Sequence, residues 1–199
     1  CAREFGYRIK LLAISKFDGD SIDVRVHPAM IAVDHPMANV NGVLNAIRVC
    51  DDMMEENILV GHGAGSLPTG SAVVGDVIEI VRNSLIGKGA RVPAQSFLKA
   101  NVKPIALKNM DEIEGEYFLR FRVKDVPGVL ARISGILGNH SISIESMIQR
   151  GRDEDENGKG VPLVLMVHRS KEKNVQDALA EIDRLDVVCE ETNLIRVEN

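Results

Sequence analysis

Two short glycine-bearing segments carry the residue types from which chemistry could be built. The first is Gly61-His62-Gly63-Ala64-Gly65-Ser66-Leu67-Pro68-Thr69, which lies between an apolar strand pattern and a helical one. Glycines at such a junction let a backbone approach an anion or a flat ring closely, and the amides at the start of the following helix carry partial positive charge. The loop fails both standard nucleotide-loop patterns. A dinucleotide fingerprint needs a third glycine where this chain has Ser66, and Asp76 and Glu79 fall inside the next helix instead of at the end of a next strand. A phosphate-gripping loop needs a lysine after its second glycine, but Gly65 to Gly70 is followed by Ser71. The second segment is Lys124-Asp125-Val126-Pro127-Gly128, a turn in which Pro127 fixes its own φ and Gly128 permits backbone shapes closed to other residues.

Elsewhere the chemistry-bearing residues read as structural. His27, His35, His62, His140 and His168 show no metal-ligand spacing, and only His62, inside the glycine loop, is placed to meet a ligand. The run Asp153 to Glu156 reads as a solvated hairpin tip. No metal site is expected.

The elements that position the second segment follow from periodicity. Tyr117, Leu119, Phe121 and Val123 alternate with Arg120 and Arg122, as a half-buried strand requires. Val129, Leu130, Ile133, Ile136 and Leu137 form a helix stripe that stops at Gly138-Asn139. Strands follow at 142–150 and 161–168, then a helix from Lys171 to about Leu185 with Val175, Ala178, Leu179 and Ile182 inward, and a last strand within 187–197. This βαββαβ order predicts a four-stranded antiparallel sheet with both helices on one face.

Ahead of it, the reading is a helix over 2–17, then a strand at 21–31 in which Ile22, Val24 and Val26 alternate with Asp23 and Arg25. Two strands at 42–50 and 57–60 flank a turn-like 51–56, and the glycine loop leads into a helix striped by Val73, Val74, Val77, Ile78 and Val81. The pattern weakens between Lys88 and Glu116, which places the boundary there: 1–90, a 91–115 linker that is long enough to pack in part against a neighbour, and 116–199.

Composition bounds the function. The 199 residues are 45% hydrophobic and 27% charged, as a globular protein requires. A net charge of −5 and 4% aromatics supply neither a basic field nor stacking platforms, so no nucleic-acid partner is expected. No apolar run reaches the ~20 residues of a membrane helix, so no membrane partner is expected either. Cys1, Cys50 and Cys189 lack metal spacing and suit free thiols in a reducing cytoplasm, and a start at Cys1 without Met suggests a fragment.

Tyr117 to Ile133, with its Asp125-Val126-Pro127-Gly128-Val129-Leu130 core, resembles the opening of an ACT domain, a module that commonly binds amino acids and regulates metabolic enzymes. The resemblance implies Asp125, Gly128, Val129 and Leu130, and more weakly Asn139, as effector contacts. Glu4 to Ala13, Val24 to Pro28, Asn39 to Ile47, Gly61 to Gly65 with Pro68-Thr69, and Val73 to Asp76 together resemble homoserine dehydrogenase, in that family's order. Gly70 and Gly75 stand where small residues such as Ala or Ser are usual, and Met37 where Leu is common. The implied fold is α+β: part of a homoserine dehydrogenase catalytic domain, with a mixed sheet and helices, followed by a ferredoxin-like ACT domain.

The same resemblance implies NADP- or NAD-dependent interconversion of L-aspartate 4-semialdehyde and L-homoserine in the full-length enzyme, with threonine as feedback effector. It implies cofactor contacts at Gly61, Gly63, Ala64, Gly65 and Thr69. The family's Rossmann domain, and an Asp and a Lys that it carries ahead of the Gly-Tyr-x-Ile-Lys segment, have no counterpart here, and Lys10 is not that catalytic lysine by position. This chain alone is therefore expected to hold no catalytic residue, to bind no cofactor and to be inactive. A homodimer or higher homo-oligomer is expected, since a sheet covered on one side leaves a face and edges open. Two other classes remain: a stand-alone amino-acid-binding ACT regulator, and a different enzyme that carries an ACT domain.

Overall fold

The computed structural model describes residues 2–87, 98–149 and 160–198. The acidic run Asp153 to Glu156 and the residues 91–97 of the expected linker lie outside them. By contact the chain divides into two compact units, Cys1–Val33 with Ile105–Asn199, and Asp34–Pro104.

The first unit is built on a mixed sheet. Strands β1 (Tyr7–Phe17), β2 (Ser21–Ala32), β6 (Glu114–Val123), β7 (Ile144–Gln149), β8 (Val161–Lys171) and β9 (Asn193–Val197) run in the order β1-β2-β9-β6-β8-β7, and the short β5 (Ala106–Leu107) pairs beside β2. Helices α2 (Val129–Asn139) and α3 (Glu172–Ile182) complete the βαββαβ module. Within it β6 pairs antiparallel with both β8 and β9, and β7 pairs antiparallel with β8, as expected.

The predicted inward residues Tyr117, Leu119, Phe121 and Val123 are 0–2% exposed. They pack with Val129, Ile133, Ile136 and Leu137 of α2 and with Val175, Ala178, Leu179 and Ile182 of α3, so both helices cover one face. Burying each large aliphatic or aromatic side chain stabilises by roughly 1.5–3 kcal/mol, which makes this cluster the unit's main core. The opposite face is not simply wet. Phe118, Val164, Met166, Met30 and Val197 form a second buried cluster there, and Phe5 meets Phe118 edge-on with ring centroids 5.8 Å apart.

The expected helix over 2–17 is a correction. Ala2–Phe5 makes one 3-10 turn, and Tyr7–Phe17 is strand β1, paired with β2 along its full length from Tyr7↔Ala32 to Phe17↔Ile22. Leu, Lys and Ala favour helix locally, but helix propensity is a weak prior beside a long cross-strand ladder. The hairpin is closed by Asp18, whose carboxylate accepts from the Ser21 and Asp20 backbone N–H groups, and by Gly19 at φ +103°. The Lys108 ammonium hydrogen-bonded to Asp18, followed by those backbone donors, holds its carboxyl far below the usual carboxylate range.

The alternation in β2 has the expected period, and its buried side is the polar one. Asp23, Arg25 and His27 are 7–9% exposed, whereas Val24 and Val26 are 57% and 67% exposed. The reason is tertiary: β2 lies parallel to β9, with Ala29↔Arg196 and Met30↔Val197, and Arg25 Nη2 meets Glu198 Oε1 at 2.7 Å while Lys16 Nζ meets its Oε2 at 2.9 Å. Part of the segment before the ACT-like module packs as expected, since β5 joins β2 and Ile113 is 4% exposed.

The second unit contains the hairpin β3 (Leu44–Asp51) and β4 (Glu55–His62), and the 20-residue helix α1 (Ser66–Leu85). Asp51 turns the hairpin by accepting from the Met53 and Met54 backbone N–H groups at 2.8 and 2.7 Å. Helix α1 buries none of its residues, and its stripe Val73, Val74, Val77, Ile78 and Val81 is 45–57% exposed.

Candidate functional site

In the second unit the glycine loop joins β4 to α1, the strand-to-helix corner that its residue types predict. Gly61 is still within the ladder, opposite Asn45, and the Gly63 N–H donates to the Val43 carbonyl at 3.1 Å, which ties the end of β4 to the start of β3. Gly65 stands before the helix at φ +129°, a conformation that side-chain-bearing residues rarely adopt, and its carbonyl accepts from the Thr69 N–H at 3.1 Å. Gly65, the residue before α1, offers no side-chain cap to the first amides of that helix. Gly61, Gly63, Ala64, Gly65 and Thr69 are all exposed, and the structure therefore brings the five candidates together on one open corner. His62 is exposed there too.

The close approach that matters at this corner is between residues 18 apart in sequence. A Cβ on Gly63 would lie 1.4 Å from Nδ2 of Asn45 and 2.4 Å from its Cγ, so the Asn45 amide occupies the space that a side chain at 63 would take. Asn45 lies within the Asn39 to Ile47 run, where no local pattern gives it a role. Its signal is the β3–β4 register, which a pattern search does not supply.

In the first unit the turn after β6 places Gly128 at φ +89°, the left-handed region, as the residue before α2. Lys124 N–H donates to the Val187 carbonyl at 2.8 Å, and Val126 N–H to the Lys124 carbonyl at 3.0 Å, which fixes the turn against the segment after α3. Asp125 and Gly128 are exposed, Val129 is buried and Leu130 half-buried. Gly128, the residue before α2, likewise offers no side-chain cap to the first amides of that helix. Asn139 is the last residue of α2, and at ~1.5 Å of rise per residue it lies about 15 Å along the axis from the turn. The chain itself does not bring Asn139 to the other four.

A buried polar cluster anchors this module and was not legible beforehand. Glu172, 2% exposed, accepts from Tyr117 Oη at 3.0 Å, Arg196 Nε at 2.8 Å and Gln176 Nε2 at 2.8 Å. Burial pushes its carboxyl up, but the hydrogen bonds from Arg196, Gln176 and Tyr117 outweigh that and leave it below the ordinary glutamate value. Burial first, then the Glu172 charge, pushes the Tyr117 hydroxyl well above the ordinary tyrosine value. Among the described residues no group of three or more His, Cys, Asp or Glu could hold a metal ion, and no helix is long and apolar enough to cross a membrane.

Comparison with known proteins agrees with the fold. Residues 1–78 match the homoserine dehydrogenase family model and residues 117–187 the ACT domain model. The chain is 41% identical over 198 residues to a homoserine dehydrogenase of Neisseria gonorrhoeae, covering all of this chain and 45% of that protein, and 38% identical to that of Helicobacter pylori, covering 44% of it. A crystal structure of a homoserine dehydrogenase from Thiobacillus denitrificans superposes with a TM-score of 0.87 at 38% identity, over all of this chain and 44% of that one. The chain thus spans less than half the length of the relatives it matches. With family matches on both sides of the Lys88–Glu116 stretch, and similarity to homoserine dehydrogenases running through the whole sequence, this chain belongs to the homoserine dehydrogenase family and carries an ACT domain.

Proposed function

We propose that this chain supplies the C-terminal part of an enzyme that interconverts L-aspartate 4-semialdehyde and L-homoserine with NADP or NAD. Residues 1–90 are its share of the catalytic and dimerisation region, 91–115 a connection, and 116–199 the regulatory module. The similarity to homoserine dehydrogenases across the whole chain carries this reading, and the open corner Gly61 to Thr69 supports it by exposing backbone where a cofactor ring could lie close. The full-length protein carrying this sequence is expected to reduce aspartate semialdehyde with NADPH or NADH; no such activity in a folded preparation rejects the assignment.

Hydride transfer requires nicotinamide, substrate and an acid-base group to be held together, and positioning supplies much of the rate. The 199-residue chain alone is accordingly expected to give no turnover, and measurable NADPH oxidation with the semialdehyde would overturn that expectation.

The turn at Asp125 to Leu130 is assigned to an amino-acid effector, with threonine as the choice. In this reading the uncapped start of α2 takes the effector's carboxylate, and the exposed Asp125, three residues before the helix's N-cap Gly128, takes its ammonium. Asn139 reaches such a ligand only from a second copy. Calorimetric titration with millimolar threonine should release heat, and Gly128→Val, which forces a β-branched residue to φ +89°, should weaken binding about tenfold or more. Silence with threonine removes the effector assignment.

A homo-oligomer working in the cytoplasm completes the proposal. Its support is exposed apolar side chains on α1 and on the Leu11, Val24 and Val26 side of the β1–β2 hairpin, which a second copy could cover.

A further inference from the structure

The Asn45 side chain is laid directly against the glycine corner. It is exposed, and its amide fills the volume a Cβ at residue 63 would need, with Nδ2 1.4 Å from that position. The backbone on both sides is held: Asn45 pairs with Gly61 in the β3–β4 ladder, and the Gly63 N–H is bound to the Val43 carbonyl. The amide therefore lies beside exposed glycine backbone, with a donor and an acceptor that take no part in the side-chain hydrogen bonds of the described residues.

A primary amide beside a surface where a flat ring can lie matches a ring that itself bears a primary carboxamide. Two carboxamides can pair through reciprocal N–H to C=O hydrogen bonds, which fixes the ring's orientation as well as its position. We propose that Asn45 is a specificity-determining residue of the glycine corner, its amide hydrogen-bonding the carboxamide of the nicotinamide ring. This rests on the dehydrogenase reading above and goes further by naming the ligand group and the side chain that recognises it. It also gives Gly63 a reason to lack a side chain beyond backbone freedom: any Cβ there displaces the amide.

The test uses the full-length protein and two cofactors, NADPH or NADH and its 3-acetylpyridine analogue, in which a methyl replaces the amide NH2. Losing one neutral hydrogen bond of about 1 kcal/mol should make the wild type prefer the natural cofactor by roughly fivefold in KM from this contact. In Asn45→Ala that share of the preference should vanish, with KM for the natural cofactor raised and thermal stability unchanged. Asn45→Leu, which keeps bulk over Gly63 and removes both polar atoms, should behave the same way, whereas a role confined to packing would be rescued by leucine. Equal cofactor preference in wild type and both variants overturns this inference and leaves the dehydrogenase reading standing. Failure of the wild type to use either cofactor overturns the dehydrogenase reading, and this inference with it.

Discussion

Glu172→Ala should cost roughly 3–5 kcal/mol of folding stability, measured by chemical denaturation at neutral pH. The magnitude is that of breaking a buried ion pair by removing one partner. Glu172 is 2% exposed, and its two carboxylate oxygens take donors from Arg196, Gln176 and Tyr117. Deleting the carboxylate leaves the fully buried Tyr117 hydroxyl with only the Ser170 carbonyl at 3.5 Å and takes the partner from the Arg196 guanidinium, whose side chain is 18% exposed, and both losses are costly. The position also joins elements: Glu172 begins α3, its N–H donates to the Ile113 carbonyl at 2.7 Å, and Arg196 lies on β9 beside β2.

Its pH dependence has a definite sign. The folded carboxyl titrates below the ordinary glutamate value, so its contribution is fully present above about pH 4.3 and is lost as pH falls through the lower folded value. The gap between wild type and Glu172→Ala should therefore shrink on acidification below about pH 4.3. A gap that stays constant from neutral pH down to strongly acidic conditions would show that the carboxylate's charge is not what stabilises the cluster.

Gly160→Ala should destabilise the ACT module by about 2–4 kcal/mol, the sum of a strained backbone and an overpacked contact. Gly160 is held at φ +85°, and a Cβ there would lie 2.5 Å from the Val123 carbonyl oxygen and 2.9 Å from its carbon. Backbone cannot step aside as a flexible side chain would. Val123 ends β6 immediately before the Lys124 to Gly128 turn, so the displacement is delivered to the proposed effector site as well. Threonine binding should weaken together with stability, and a variant with wild-type denaturation and wild-type titration would refute the contact. As a control, Gly135→Ala on α2, where an added Cβ meets nothing within 4 Å, should be neutral or slightly stabilising.

The ACT module was legible because its signals are local. Alternation over Tyr117 to Val123, the Pro127-Gly128 turn and the stripe on α2 each follow from side-chain type at a fixed spacing, and a core at 0–8% exposure answers to that spacing. The glycine corner was legible as a strand-to-helix junction for the same reason. Neither reading depended on residues distant in the chain.

Where distant residues decide, the sequence was silent or misleading. Tyr7–Phe17 looked helical by composition and is a strand, because an eleven-pair ladder with β2 holds it. The Asp23, Arg25 and His27 side of β2 is buried because β9 brings Arg196 and Glu198 alongside, more than 160 residues later. Asn45 acquires its place over Gly63 only through the β3–β4 register, and Glu172, one charge at a helix start, becomes a buried anchor only when Arg196 and Tyr117 converge on it. Periodicity records which face of an element is apolar, but it holds no information on which partner covers that face. Pairing and burial are properties of the assembled chain, and they set both the polar anchor and the architecture of the glycine corner.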